Sequence, residues 1–177
     1  MSFDDDDNDG DRLADEEQPG PDELESALTR DTLGDVVTQP AVSVEVGTTL
    51  SETIRRMQSD HRGYVAVLNG RKLVGIFTER DLLMRVAGQQ LDPERTTVDA
   101  FMTRDPVTLP VDSSVAHALN LMVVEGFRHV PMVDNTGNLV AVATMRDLME
   151  YLSDFFSRDI LNLPPDPRVV FRTREGG

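Results

Sequence analysis

Gly75-Ile76-Phe77-Thr78-Glu79-Arg80-Asp81 and, 66 residues on, Ala141-Val142-Ala143-Thr144-Met145-Arg146-Asp147 are two versions of one pattern. In each, a short apolar run ends at a threonine and is followed by x-Arg-Asp. The apolar run reads as a buried strand, and Thr-x-x-Asp reads as the capping box that opens a helix. A strand that turns directly into a capped helix, twice and at matching places, makes the chain a tandem repeat.

Extended outward, the copies run from Leu33 to Arg85 and from Val98 to Leu152. Thr38 matches Thr103, Val42 matches Val107 and Met57 matches Met122, all 65 apart; Leu73 matches Leu139 at 66. The step of one residue falls in a turn, Asn69-Gly70 in the first copy and Asn135-Thr136-Gly137 in the second, where a structural repeat tolerates insertion. Each copy predicts a short strand (about 42–45; about 107–110), then an amphipathic helix. The helix carries Leu50, Ile54 and Met57 in one copy, and Val115, Leu119 and Met122 in the other; Thr49 with Glu52 would cap the first. An apolar hairpin follows, 64–68 with 72–77 and 130–133 with 139–143, then a helix from near Glu79 or Met145. The fold class is α+β, two β-α-β-β-α units. Each is about 50 residues, too little for a comfortable core alone, so the two should pack on each other.

These motifs resemble those of the CBS domain, named after cystathionine β-synthase. Besides the two strand-to-helix stretches, the lead-ins VVTQPAV and FMTRDPVTL and the second copy's GFRHVPMVD are similar to that family. The resemblance spans roughly residues 33–155. It implies a CBS pair, or Bateman module: CBS domain 1 at 33–90 and CBS domain 2 at 96–157, about a pseudo-two-fold axis. It also implies an adenosine ligand (AMP, ADP, ATP or S-adenosylmethionine), bound as a regulator and not as a cofactor.

The residues themselves allow two readings of Thr78-x-x-Asp81 and Thr144-x-x-Asp147. A capping box explains one of them fully. Recurrence at the same repeat position, with a hydroxyl and a carboxylate at a helix N-terminus, also suits a phosphate and a ribose. By resemblance, Asp81 and Asp147 would take the ribose, and Thr78 and Thr144 the ribose or phosphate. Arg128 and His129 would turn cationic side chains toward phosphate, a task that fits arginine's fork. The first copy has Gly63-Tyr64 there instead. Arg80 and Arg146, just before the aspartates, are candidates that also read as surface charges. Thr38 and Thr103 open the lead-ins, where the family reads adenine through backbone groups; here those belong to Ala41 and Val42, and to Pro106 and Val107.

Composition sets the limits. Of the net charge of −15, −11 comes from residues 1–25, with twelve acids and one base, Arg12. That segment has almost nothing to bury, so residues 1–28 are expected to form a disordered acidic tail; residues 158–177 are read as a C-terminal tail. One lysine, Lys72, against sixteen arginines, and twenty-one aspartates against eleven glutamates, resemble proteins of salt-accumulating microbes. No basic cluster suits nucleic acid. No apolar run approaches a membrane span, and no basic-then-apolar leader opens the chain, so a cytoplasmic setting without membrane contact is expected. There is no cysteine, and His61, His117 and His129 lack metal-ligand spacing. With no nucleotide-loop, nucleophile-elbow or zinc-protease motif, the reading is non-enzymatic. Leu148, Met149, Leu152, Phe155 and Phe156 form an apolar stripe that suggests a homodimer. The alternatives are a structural dimerisation module without ligand, or an accessory subunit of a separately encoded enzyme or transporter.

Overall fold

In the computed structural model, residues 21–155 are described. The tail expected over 1–20, the one expected over 158–177, and Phe156 lie outside them. Residues 21–28, expected in the tail, are helical. Helix α1 (Pro21–Arg30) buries Ala27 and sets Leu28 against the second copy's core. Its opening acids, Asp22 and Glu23, sit at the positive end of the helix dipole, so an acidic composition does not prevent a helix here.

The first copy then forms α2 (Leu33–Val36), β1 (Ser43–Glu45), α3 (Leu50–Ser59), β2 (Tyr64–Asn69), β3 (Lys72–Thr78) and α4 (Glu79–Asp81). The second has a 3-10 turn (Val98–Ala100), β4 (Thr103–Arg104), β5 (Leu109–Pro110), α5 (Val115–Glu125), β6 (His129–Val133), β7 (Leu139–Thr144) and α6 (Met145–Ser153). The expected α+β repeat is present. At the Thr49 cap only half the box forms, with the Glu52 N–H donating to the threonine hydroxyl at 3.2 Å.

Two elements depart from the simple repeat. The first copy's closing helix is three α residues that widen into a π-turn over Leu82–Val86, whereas α6 runs for nine residues. The second copy's opening strand is only Leu109–Pro110, not 107–110. In the first copy Ala66 N–H donates to Val42 C=O at 2.9 Å. Its counterpart is Pro131, which has no N–H to give to Val107.

The lead-ins are exchanged between the copies. Leu33 and Val37 are buried in the second core with Leu109, Val115, Met122 and Leu148. Val98 and Met102 are buried in the first core with Leu50, Met57, Val65 and Phe77. The backbone bonds are reciprocal: Leu33 N–H to Ser113 C=O (2.9 Å) mirrors Val98 N–H to Thr48 C=O (2.9 Å). β4 accordingly joins the first copy's sheet, ordered β1-β2-β3-β4, and the second sheet is β5-β6-β7. The sheets meet through matched residues, Leu73 with Leu139 and Ile76 with Val142, and Tyr64 lies against His129 with ring centroids 4.9 Å apart. Equivalents meeting equivalents is what a pseudo-two-fold axis requires.

Candidate functional site

Each strand-to-helix junction is a complete capping box. Thr78 donates to Asp81 Oδ2 from its N–H (3.0 Å) and its hydroxyl (2.7 Å), and Asp81 N–H returns to the hydroxyl at 3.3 Å. Thr144 and Asp147 repeat this at 2.8, 2.7 and 3.2 Å. Thr32 and Asp35 share the first two of these contacts at the start of α2, so the box alone is architecture. What distinguishes the two junctions is the other carboxylate oxygen.

Asp81 is buried, and its Oδ1 is met by Arg85 Nε at 3.3 Å and by the Thr103 hydroxyl at 3.5 Å. Asp147 is half-buried, and among the described residues no hydrogen bond reaches its Oδ1. Arg85's counterpart is Tyr151, whose hydroxyl donates instead to Asp31 Oδ2 at 2.8 Å. Burial and that bond to Asp31 hold the Tyr151 phenol up at about 12.

Arg128 is exposed, and its carbonyl accepts the Met145 N–H at 2.9 Å, so it stands at the opening of α6. In the first copy Gly63 C=O accepts the Glu79 N–H at 3.0 Å, and the Glu79 carboxylate lies against Gly63. One junction therefore presents a cation where the other presents an anion. His129 does not act as the second cation expected of it. Burial, then repulsion from Arg128, lowers its pKa to about 4 against the opposing pull of Asp147, so the ring is neutral near pH 7 and lies tilted at 46° against Tyr64.

The exchange of lead-ins decides which candidates meet. Thr103 comes to Asp81, not to Asp147. Val37, beside Thr38, is packed in the second core that contains Leu148, which sets Thr38 on the Asp147 side. The Val42 side chain is buried, and its C=O accepts the Ala66 N–H at 2.9 Å. Ala41 is half-buried between the sheets. Across the axis Asp105 adopts φ 45, a conformation closed to Pro40, its counterpart. Pro106 is half-buried there and Val107 is 49% exposed. Arg80 is exposed, and Arg146 pairs on the surface with Glu150 at 2.7 Å. Sequence reading missed Arg85, Glu79 and Tyr64. Arg85 was legible as a cation at i,i+4 from Asp81, and Tyr64 only as a position where the copies carry different residues. Among the described residues, no cluster of three or more His, Asp or Glu is arranged to hold a metal, and no helix is long and apolar enough to cross a membrane.

Comparison with known proteins agrees with this geometry. The CBS domain family matches residues 33–88 and again 98–154. An uncharacterized 17.7 kDa protein of Acidianus ambivalens is 30% identical over 120 residues, 67% of this chain and 71% of that one. The CBS domain-containing protein CBSCBSPB5 of Arabidopsis thaliana is 34% identical over 123 residues, but the match spans only 22% of its length. Among solved structures, a CBS domain protein from Pyrobaculum aerophilum complexed with AMP superposes with a TM-score of 0.63 at 27% identity, covering 74% of this chain and 95% of the other.

Proposed function

The chain belongs to the CBS domain family, and from that premise we propose that it is a non-enzymatic regulatory module that senses an adenosine-containing ligand, an AMP-like nucleotide above all, at the Asp147 junction. The observation that carries this reading is that Asp147 Oδ1, which no hydrogen bond reaches among the described residues, lies at the opening of α6, where the carbonyl of the exposed Arg128 accepts the Met145 N–H. The carboxylate can accept two ribose hydroxyl protons, as in dinucleotide folds. The first free N–H groups of α6 and the arginine fork suit a phosphate. Thr38 and Ala41 stand on the adenine side. The AMP complex of the Pyrobaculum relative supports the ligand class.

Ligand binding can shift the pair only by its difference in affinity between two arrangements, and a partner protein would read the shift. A cytoplasmic setting fits this role. Leu83 and Met149 are matched positions, and both are exposed, at 69% and 53%. Two matched apolar residues on the outside favour an isologous homodimer, with light scattering as the check: about 40 kDa is expected, and about 20 kDa at micromolar concentration overturns it.

Calorimetry with adenosine and AMP tests the site. Arg128→Ala is expected to weaken AMP about ten- to a hundredfold and to spare adenosine, the range of a charge-assisted hydrogen bond. Asp147→Ala is expected to weaken both. Equal losses of adenosine and AMP in Arg128→Ala would assign the arginine to the fold alone.

A further inference from the structure

The two junctions began as copies, and they have diverged in three ways. Asp81 Oδ1 is held by Arg85 at 3.3 Å, and among the described residues nothing holds Asp147 Oδ1. Glu79 lies over Gly63 where the second copy has Met145 beside Arg128. Pro131, the counterpart of Ala66, has no N–H to give to Val107, whereas the Val42 carbonyl accepts the Ala66 N–H at 2.9 Å. On the Asp81 side, therefore, no backbone bond reaches the Val107 carbonyl among the described residues, while the carboxylate that would hold ribose is occupied.

We infer that Arg85 is the specificity-determining residue of the pair: it occupies the Asp81 carboxylate as an internal stand-in for a ligand and limits the module to one adenosine site, at Asp147. The proposal rests on the functional reading above and adds to it which site works and why. Arg85 is well placed for this role. Its NH1 also donates to Phe101 C=O at 3.0 Å and Met102 C=O at 3.2 Å, so the guanidinium spans the lead-in and the carboxylate together. A ribose reaching Asp81 Oδ1 would have to displace a guanidinium that two backbone carbonyls also hold in place. The π-turn over Leu82–Val86 belongs to the same device, since it is the segment that carries Arg85. Tyr151, at the matching place, is turned away to Asp31 and leaves Asp147 open.

Equilibrium dialysis of the full chain against adenosine and against AMP tests this. The wild-type chain should bind one equivalent of each. Asp81→Asn should leave both affinities within about twofold, and Asp147→Asn should weaken both at least thirtyfold. Arg85→Tyr, which installs the second copy's residue, and Arg85→Gln should each raise adenosine to two equivalents. AMP should stay near one, because Glu79 opposes a phosphate at that junction. Two equal equivalents in the wild type overturn the inference, as does a cooperatively melting Arg85→Gln that still takes one adenosine. Wild-type binding lost in Asp81→Asn and kept in Asp147→Asn overturns it while leaving the adenosine reading intact. A wild type that binds neither probe overturns both. If the Arg85 variants do not fold, the two aspartate variants still decide which site is occupied.

Discussion

Residue by residue, the two copies differ in ways that compensate. Gly75 is matched by Ala141, and the reason lies across the chain. A Cβ on Gly75 would fall on Met102 Sδ, whereas the position matched to Met102 is Val37, which is shorter and leaves room for the alanine methyl. Gly75→Ala should therefore destabilise the protein by about 1–3 kcal/mol, the usual cost of overpacking. Gly75→Ala with Met102→Val should recover most of that loss, a coupling that urea titration of the four-member cycle measures. Additive losses would mean that the two sites do not share this space.

At the scale of elements, the exchanged lead-ins matter most. The first copy's lead-in completes the second core, and the second copy's lead-in completes the first. Removing residues 1–31 deletes α1, taking away buried Ala27 and the Leu28 contact as well as the Asp31 acceptor of Tyr151. The apolar part of that loss is worth about 1–3 kcal/mol. The expected outcome is a lower urea midpoint, with hydrogen exchange accelerating in α5 and α6 before β2 and β3. Faster exchange in the first copy alone would contradict the exchange of segments. Tyr151→Phe should lower the midpoint in the same direction, because it removes the strap from α6 to Asp31.

Over the whole molecule, the axis is built from equivalents, and His129 is the titrating member. Its folded pKa, about 4, lies below the ordinary 6.5, so the unfolded chain takes up a proton that the folded chain refuses. Stability should hold above pH 6.5 and fall as pH drops toward 4, by at most about 1.4 kcal/mol per unit. Asp31, Asp35 and Asp134 are shifted down by their hydrogen bonds, so what they add is present above the ordinary carboxylate range and is lost on acidification below it. His129→Gln should flatten the upper window and leave the acid fall unchanged. Urea midpoints across pH 4–7 give the answer, and an unaltered slope in the variant would place the titration elsewhere.

The amino-acid sequence by itself determined the repeat, the α+β class, the hairpins and both Thr-x-x-Asp junctions. Those features are local: apolar periodicity, turn glycines and capping boxes act within a few residues. It misjudged α1, because an acidic composition conceals the Ala27 and Leu28 contacts that a distant helix supplies. Only the tertiary structure decided which lead-in serves which junction, since that depends on reciprocal pairing between segments distant in the chain, Leu33 with Ser113 and Val98 with Thr48. The inequality of the junctions is partly local and partly tertiary. Asp81 and Asp147 sit in identical local boxes, and what separates them is a guanidinium delivered by a π-turn and a tyrosine drawn off to Asp31. Arg85 stands only four residues after Asp81, so that half of the contrast was open to sequence reading, whereas the Tyr151 bond to Asp31 joins residues 120 apart and was not.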